Sequence, residues 1–234
     1  MSFLKAEWRK LVMINYEVNP EKLKPYLPEG TELDYYNDTC YISLVGFMFL
    51  NTKLLGCKIP FHVNFEEVNL RFYVKRTEDN KTKRGVVFIK EIVPKPAITF
   101  VANTIYKENY QTLKMRHEWS SDEHTIEVAY QWKTESFWNS IKVTAHNTLK
   151  AIEPNSEIEF IAEHYWGYAK NKIQTTEYEV KHEIWKYYPV TNVDIQVDFQ
   201  KTYGADFIFL NKLKPISIFL LEGSEISVEN KKTL

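Results

Sequence analysis

Glu67, Asn69, Arg71 and Tyr73 place an acid, an amide, a guanidinium and a phenol at alternate positions of one short stretch. The residues between and after them, Val68, Leu70, Phe72 and Val74, are apolar. Side chains alternate faces along a strand, so this spacing predicts a β-strand with its polar groups in one row. Ordinary strand rise spreads Glu67 to Arg71 over about 13 Å. Such a row can clamp an anion or a carbonyl through Arg71, with Glu67 placed to give or take a proton. An inward Arg71 needs a carboxylate, either Glu67 or a bound anion, because a buried unpaired guanidinium is very costly. The same residues also fit an internal Glu67–Arg71 ion pair or a solvated face.

Before Glu67 the alternation runs in the opposite phase, with Phe61, Val63 and Phe65 apolar and His62, Asn64 and Glu66 polar. Two arrangements follow. A bulge near Glu66–Glu67 swaps the faces and leaves the polar row in water. Alternatively the odd row stays inside throughout, aromatic at one end and hydrogen-bonding at the other, as in a barrel that holds a ligand.

Three histidines join the candidates. His182 shares an inward row with Thr176, Tyr178, Val180 and Ile184, while Glu177, Glu179, Lys181 and Glu183 form a solvent row. His117 sits among Leu113, Met115 and Trp119. Imidazole titrates near neutrality, so each fits a general base or a ligand-orienting donor. Each also fits a core histidine satisfied by a backbone carbonyl. His164 follows a capping-box helix opened by Ser156-Glu157-Ile158-Glu159, where a partner of the helix C-terminal dipole is the simplest role.

The elements that position these residues are mostly strands. Residues 40–50 (CYISLVGFMFL) are apolar on both faces, which predicts a strand buried on both sides. Val86 to Val93 is a β-branched run. Lys81, Lys83 and Arg84 beside Thr77, Asp79 and Asn80 read as a solvated hairpin tip. Asn19-Pro20-Glu21 opens a helix of a turn or two, and residues 96–107 carry helical spacing in Ala97, Ile98, Val101, Ala102 and Ile105. Residues 113–119 and 126–132 form a hairpin, and Ile216 to Val228 reads as a strand pair around Glu222-Gly223-Ser224. The result is one β-rich α+β domain with two or three short helices and no internal repeat.

Composition narrows the function classes. The 234 residues include 44% hydrophobic and 15% aromatic side chains, enough for a sizeable core. A formal net charge of −1 gives no reason to expect nucleic acid or an anionic membrane as partner. No apolar run approaches the length of a membrane span, and no secretory signal precedes the charged stretch from Lys5 to Lys10, so a cytoplasmic location is expected. Two cysteines, Cys40 and Cys57, form no CxxC pair, and Cys40 reads as inert core. No histidine pair has metal-ligand spacing and no phosphate or dinucleotide loop is present, so neither a metal nor a cofactor is expected.

Several segments together resemble the YqjF-like proteins: NPEKLKPYLPEGTELD from Asn19, CYISLVGFMF, FEEVNLRFYV, EFIAEHYWGYA from Glu159, YEVKHEIW from Tyr178 and LLEGSEISV from Leu220. This resemblance spans nearly the whole chain, 1–234. It implies the acetoacetate decarboxylase-like fold, a curved, barrel-like antiparallel sheet with a central cavity. In the decarboxylases a lysine forms a Schiff base with substrate. The aligned lysine pair falls here on Tyr110 and Gln111, neither of which carries a primary amine. Lys107 or Lys114 could serve only after a register shift of three or four positions. The reading that emerges is a barrel cavity binding a small carboxylate- or carbonyl-containing molecule without imine chemistry. Arg71, Asn69, Tyr73, Tyr110, His117 and His164 are its ligand-binding candidates, with Glu67 and His182 as catalytic ones. The alternatives are a lyase or hydrolase-like enzyme using Glu67 or His182 for proton transfer, and a structural or interaction protein whose cavity is filled by its own side chains. The oligomeric state is left open.

Overall fold

A strand flanked on both sides by protein must be apolar on both faces, and this requirement organises the molecule. The computed structural model describes residues 2–170 and 174–234. Its strands are β1 (Leu4–Glu17), β2 (Glu32–Leu33), β3 (Tyr35–Tyr36), β4 (Thr39–Leu54), β5 (Phe65–Glu78), β6 (Lys81–Val93), β7 (Tyr110–Thr112), β8 (Met115–Ser121), β9 (Thr125–Thr134) and β10 (Phe137–His146). After these come β11 (Lys150–Ala151), β12 (Trp166–Lys170), β13 (Thr175–His182), β14 (Lys186–Tyr188), β15 (Val190–Gln196), β16 (Ser217–Val228) and β17 (Lys232–Thr233). The α-helices are α1 (Pro96–Val101), α2 (Glu157–Ala162) and α3 (Phe199–Tyr203).

Seven strands close into a barrel in the order β1-β4-β5-β6-β12-β13-β16, with β16 pairing back to β1. Every neighbouring pair is antiparallel except the β6–β12 seam, which is parallel. A second sheet, β15-β10-β9-β8, covers one outer wall. The hydrophobic core is accordingly double. Val68, Leu70 and Phe72 of β5 point outward and pack with Val128, Tyr130 and Ile141 of the second sheet. Phe65 and Tyr73 point inward with Val45, Phe47, Val86 and Tyr178. Burying each such side chain contributes roughly 1.5–3 kcal/mol, which makes the register of β5 hard to slip.

The expected strand over residues 40–50 is the buried heart of β4, and residues 40–49 are all buried. The Asn19-Pro20 start is capped as expected, with Asn19 accepting from the Glu21 amide, but the proline spacing yields two short 3-10 turns. The predicted helix over 96–107 begins as α1 and continues through Tyr106 with π-type winding. Ser156 caps α2 by accepting from the Glu159 amide.

Three expectations are corrected. The tail is one continuous strand, because Gly223, at φ +83°, crosses β1 so closely that a Cβ would lie 1.9 Å from the Trp8 carbonyl oxygen. Glu177 is not on a solvent face. It is 1% exposed and bridges Arg76 and Lys83 at 3.2 and 2.7 Å. Of the basic residues expected at a solvated hairpin tip, Lys83 is tied into that bridge and Arg84 pairs with Asp34 at 2.7 Å, leaving Lys81 exposed. Among the described residues, no helix is long and apolar enough to cross a membrane.

Candidate functional site

The barrel encloses a cavity of about 370 Å³, within the range of small-molecule sites. The cavity is therefore not filled by its own side chains. Phe65, Glu67, Asn69 and Arg71 all line it, so the odd row of β5 stays inside throughout, aromatic at one end and polar at the other. Phe61, 88% exposed, precedes the strand and is not part of that row.

A second wall comes from β6, and it depends on a bulge. Leu70 pairs with Lys90 but Arg71 pairs with Phe88, so Ile89 is the extra residue. The bulge reverses the phase of β6, and Val86 and Phe88 before it share the cavity with Glu91 after it. The third wall is the α1 region, whose Ala97, Ile98, Val101 and Tyr106 face the cavity. Lys107, at φ +62°, ends that winding and turns the chain so that Glu108 and Tyr110 also line the wall. On the far side, Gly167 leaves room for the ring of Tyr178, which a Cβ there would meet at 2.2 Å.

Three carboxyl groups thus meet at one end. Glu67 accepts hydrogen bonds from Asn69 Nδ2 and the Tyr110 hydroxyl, each at 3.0 Å. Glu108 accepts from the Tyr178 hydroxyl at 2.8 Å. Burial pushes Glu67 up to about 7, although its two hydrogen bonds and the charge of Arg71 pull the other way. Glu108 is pushed up to about 7 as well, by burial and by the charge of Glu67. Burial and repulsion from Glu108 and Glu67 hold Glu91 well above the usual carboxylate range.

Arg71 lies further along β5. It makes no ion pair with Glu67; its Nη2 donates to the Ile161 carbonyl at 3.3 Å and lies 4.0 Å from Met13 Sδ. Next to it His164 is buried against the rings of Tyr73 and Phe160. Its Nε2 donates to Asp34 Oδ2 at 3.3 Å, an oxygen that also accepts from Arg84 Nε at 2.7 Å. Burial pushes His164 down to about 4, so the ring is neutral near pH 7. Burial alone would raise Asp34, but hydrogen bonds from His164 and Arg84 hold its carboxyl below the usual range.

Among the described residues, nine buried side-chain polar atoms have no hydrogen-bond partner, and six of them belong to residues lining this one cavity. They are Trp8 Nε1, Thr52 Oγ1, Asn69 Oδ1, Arg71 Nε, Glu91 Oε2 and His164 Nδ1. Buried polar groups are ordinarily satisfied, so their concentration here sets this cavity apart from the rest of the interior.

The sequence-predicted residues divide accordingly. Glu67, Asn69, Arg71, Tyr110 and His164 line the cavity. Tyr73 does not: its hydroxyl bonds Ser43 at 2.7 Å and its ring packs behind Arg71. His117 is a correction, lying on an exposed edge strand, 2.6 Å from Glu66. His182 is also displaced from the cavity lining. It is half-buried and stacks between Tyr165 and Trp185, with Nδ1 2.8 Å from the Glu183 carbonyl. Lys107 and Lys114 do not line the cavity either; Lys114 sits 6.0 Å over the Trp138 ring. Cys40 is buried, and burial raises its thiol to about 11. Glu91, Glu108 and Tyr178 were not singled out from sequence. The available signal was a lone acid, Glu91, inside an apolar run, and Tyr178 in the inward row of β13. Among the described residues, no group of three or more His, Cys, Asp or Glu side chains is arranged to hold a metal ion.

Comparison with solved structures agrees with the barrel. Acetoacetate decarboxylase from Legionella pneumophila superposes with a TM-score of 0.66 at 12% identity, covering 99% of this chain and 86% of that one. MppR, an enduracididine biosynthesis enzyme, superposes with HEPES buffer bound at a TM-score of 0.69 and 9% identity, covering 100% and 88%. Its complex with pyruvate gives 0.63 at 9% identity, covering 100% and 91%. At these identities the likeness is one of fold. In sequence the chain is 24% identical over 220 residues to the uncharacterized protein YqjF of Bacillus subtilis (strain 168), covering 91% of this chain and 85% of YqjF. Residues 5–223 match the profile of the uncharacterized conserved proteins DUF2071, and the chain belongs to that family.

Proposed function

We propose that the barrel cavity binds a small molecule bearing a carboxylate or carbonyl group, and that Arg71 is its anchor. The observation that carries this reading is a guanidinium only 8% exposed, on the wall of an open cavity, with no carboxylate against it and its Nε unpartnered. A buried guanidinium in that state is stabilised by an incoming carboxylate, which pairs with it in the planar, two-pronged geometry the group favours. Asn69 and the neutral His164 flank the anchor and orient the ligand's remaining polar atoms. A complex of the structurally similar MppR with pyruvate supports the ligand class.

Binding proceeds without an imine in this reading, since no lysine lines the cavity among the described residues. Borohydride treatment with pyruvate or acetoacetate should leave the mass of the protein unchanged. The decisive test is thermal stability with and without pyruvate. Pyruvate should raise the melting temperature of the parent chain and leave Arg71→Met unmoved. An equal rise in both proteins would remove Arg71 from the site.

A second reading rests on Glu67. A carboxyl that titrates near pH 7 inside a cavity is suited to proton transfer, so a lyase or hydrolase-like reaction using Glu67 is the enzymatic form of the same site.

A further inference from the structure

We propose that the cavity takes an amphoteric ligand, with a carboxylate against Arg71 and a basic nitrogen against the Glu67, Glu91 and Glu108 carboxyls. This rests on the Arg71 anchor and adds the opposite end of the molecule.

Topology separates the two ends. Glu91 lies in register with Asn69 on β5 and with Tyr110 on β7, Glu67 is two residues before Asn69, and Glu108 is two before Tyr110. The three acids therefore sit on adjacent segments at one end of the cavity. Arg71 stands about 13 Å along β5 from Glu67 by strand rise. Asn69 lies between the two ends on β5, and much of the remaining lining is apolar, with Phe47, Phe65, Val86, Phe88 and Val101. A ligand that fits carries its two polar groups on a short hydrocarbon spacer.

The acid end lacks a cation. No salt bridge among the described residues includes Glu67, Glu91 or Glu108, and the donors bonded to Glu67 and Glu108 are an amide and two phenols. Glu91, only 2% exposed, has Oε2 without a donor, and Asn69 Oδ1 beside it is likewise unpartnered. Both residues line the cavity, and their unpartnered oxygens call for N–H groups. A second carboxylate there would meet like charge, and a hydrocarbon would leave the acceptors bare. An ammonium or amidinium supplies both the donors and the charge. Its arrival also favours ionisation of carboxyls that burial and mutual repulsion keep protonated. The other titratable groups on this wall are Arg71, His62, His164, Tyr106, Tyr110 and Tyr178.

Two matched probes, ε-aminocaproate and caproate, differ only in the terminal amine. Melting curves and isothermal titration are run at pH 7 in two buffers of different ionisation enthalpy, on the parent chain and on Glu108→Gln. ε-Aminocaproate should bind the parent about tenfold or more tightly than caproate, the scale of a charge-assisted hydrogen bond. Its binding should release about one proton, read from the buffer dependence of the heat. In Glu108→Gln the preference and the proton release should both shrink, while caproate stabilises the variant as it does the parent and so shows that it is folded. Caproate binding as tightly as ε-aminocaproate, or no proton release, overturns the amphoteric ligand and leaves the Arg71 anchor standing. Stabilisation by neither probe overturns both.

Discussion

The β5–β6 hairpin carries two groups of buried charge with opposite accounting. Near its tip Glu177, 1% exposed, accepts from Arg76, Lys83 and the Tyr168 hydroxyl, and Glu78 closes the network from outside. Every charge there has a partner of opposite sign. Toward the other end Glu67, Glu91 and Arg71 line the cavity without an ion pair among them, and the acids hold protons that water-exposed carboxyls would lose. One hairpin builds both, so chain composition does not explain the difference. The paired network is a structural device that locks the hairpin to β13. The unpaired one leaves an electrostatic demand that the neighbouring side chains do not meet, and under the proposed function a guest meets it.

Removing the acid from the paired network should produce the largest effect. Glu177→Gln leaves Arg76 and Lys83 sharing the half-exposed Glu78, and unfolding free energy should fall by about 3 kcal/mol. Denaturant titration reads this directly. A loss within the noise would mean that the network contributes nothing and that the contrast is one of geometry alone. Gly167→Ala acts on the seam between the two groups. The new Cβ displaces the Tyr178 ring, breaking its bond to Glu108, and overpacking of this kind costs about 1–3 kcal/mol. If the melting temperature holds, the Tyr178 ring moves freely and does not fix the position of Glu108.

How far the sequence reveals this arrangement follows from the range of each interaction. Alternation over Glu67–Val74 is local, and it places Glu67, Asn69 and Arg71 on the cavity side without further help. The two-faced apolar stretch of β4 is local too, and β8 and β9 of the second sheet form a hairpin with clear alternation. Glu91 reaches the cavity only because Ile89 bulges out of β6, and no residue type announces that bulge. Glu108 depends on the left-handed turn at Lys107, a conformation unusual for lysine. The solvent placement of Glu177 fails for another reason: alternation reports which residues share a face, and a buried face of charges differs from a wet one only through partners distant in sequence. His117 follows an apolar row onto an edge strand, where it stays exposed beside Glu66 and Trp119. His182 keeps to the interior side of β13, but Tyr165 and Trp185 enclose it. A row therefore gives direction, and only packing gives contact.

The smallest expected effect is also the one that reverses sign. Glu91→Gln replaces a desolvated carboxyl with an amide of the same shape, so the empty protein should become more stable. The pH dependence identifies the cause. Unfolded, Glu91 loses its proton near its ordinary pKa of 4.5; folded, burial and the neighbouring acids keep the proton well above that. Between those points the unfolded state binds fewer protons, and stability falls as pH rises. At pH 4.5 the parent and the variant should melt together, and by pH 8 the variant should lead by roughly 1–2 kcal/mol, the cost of a poorly solvated polar group. His164 and His182, which burial pushes down to about 4, lose stability in the opposite direction as pH falls below their ordinary value of 6.5. They are common to both proteins and cancel in the difference. A lead that persists unchanged to pH 4.5 would trace to packing, and a variant less stable at pH 8 would mean that Glu91 is already satisfied. Either result would move the acid end of the cavity into the same class as the Glu177 network.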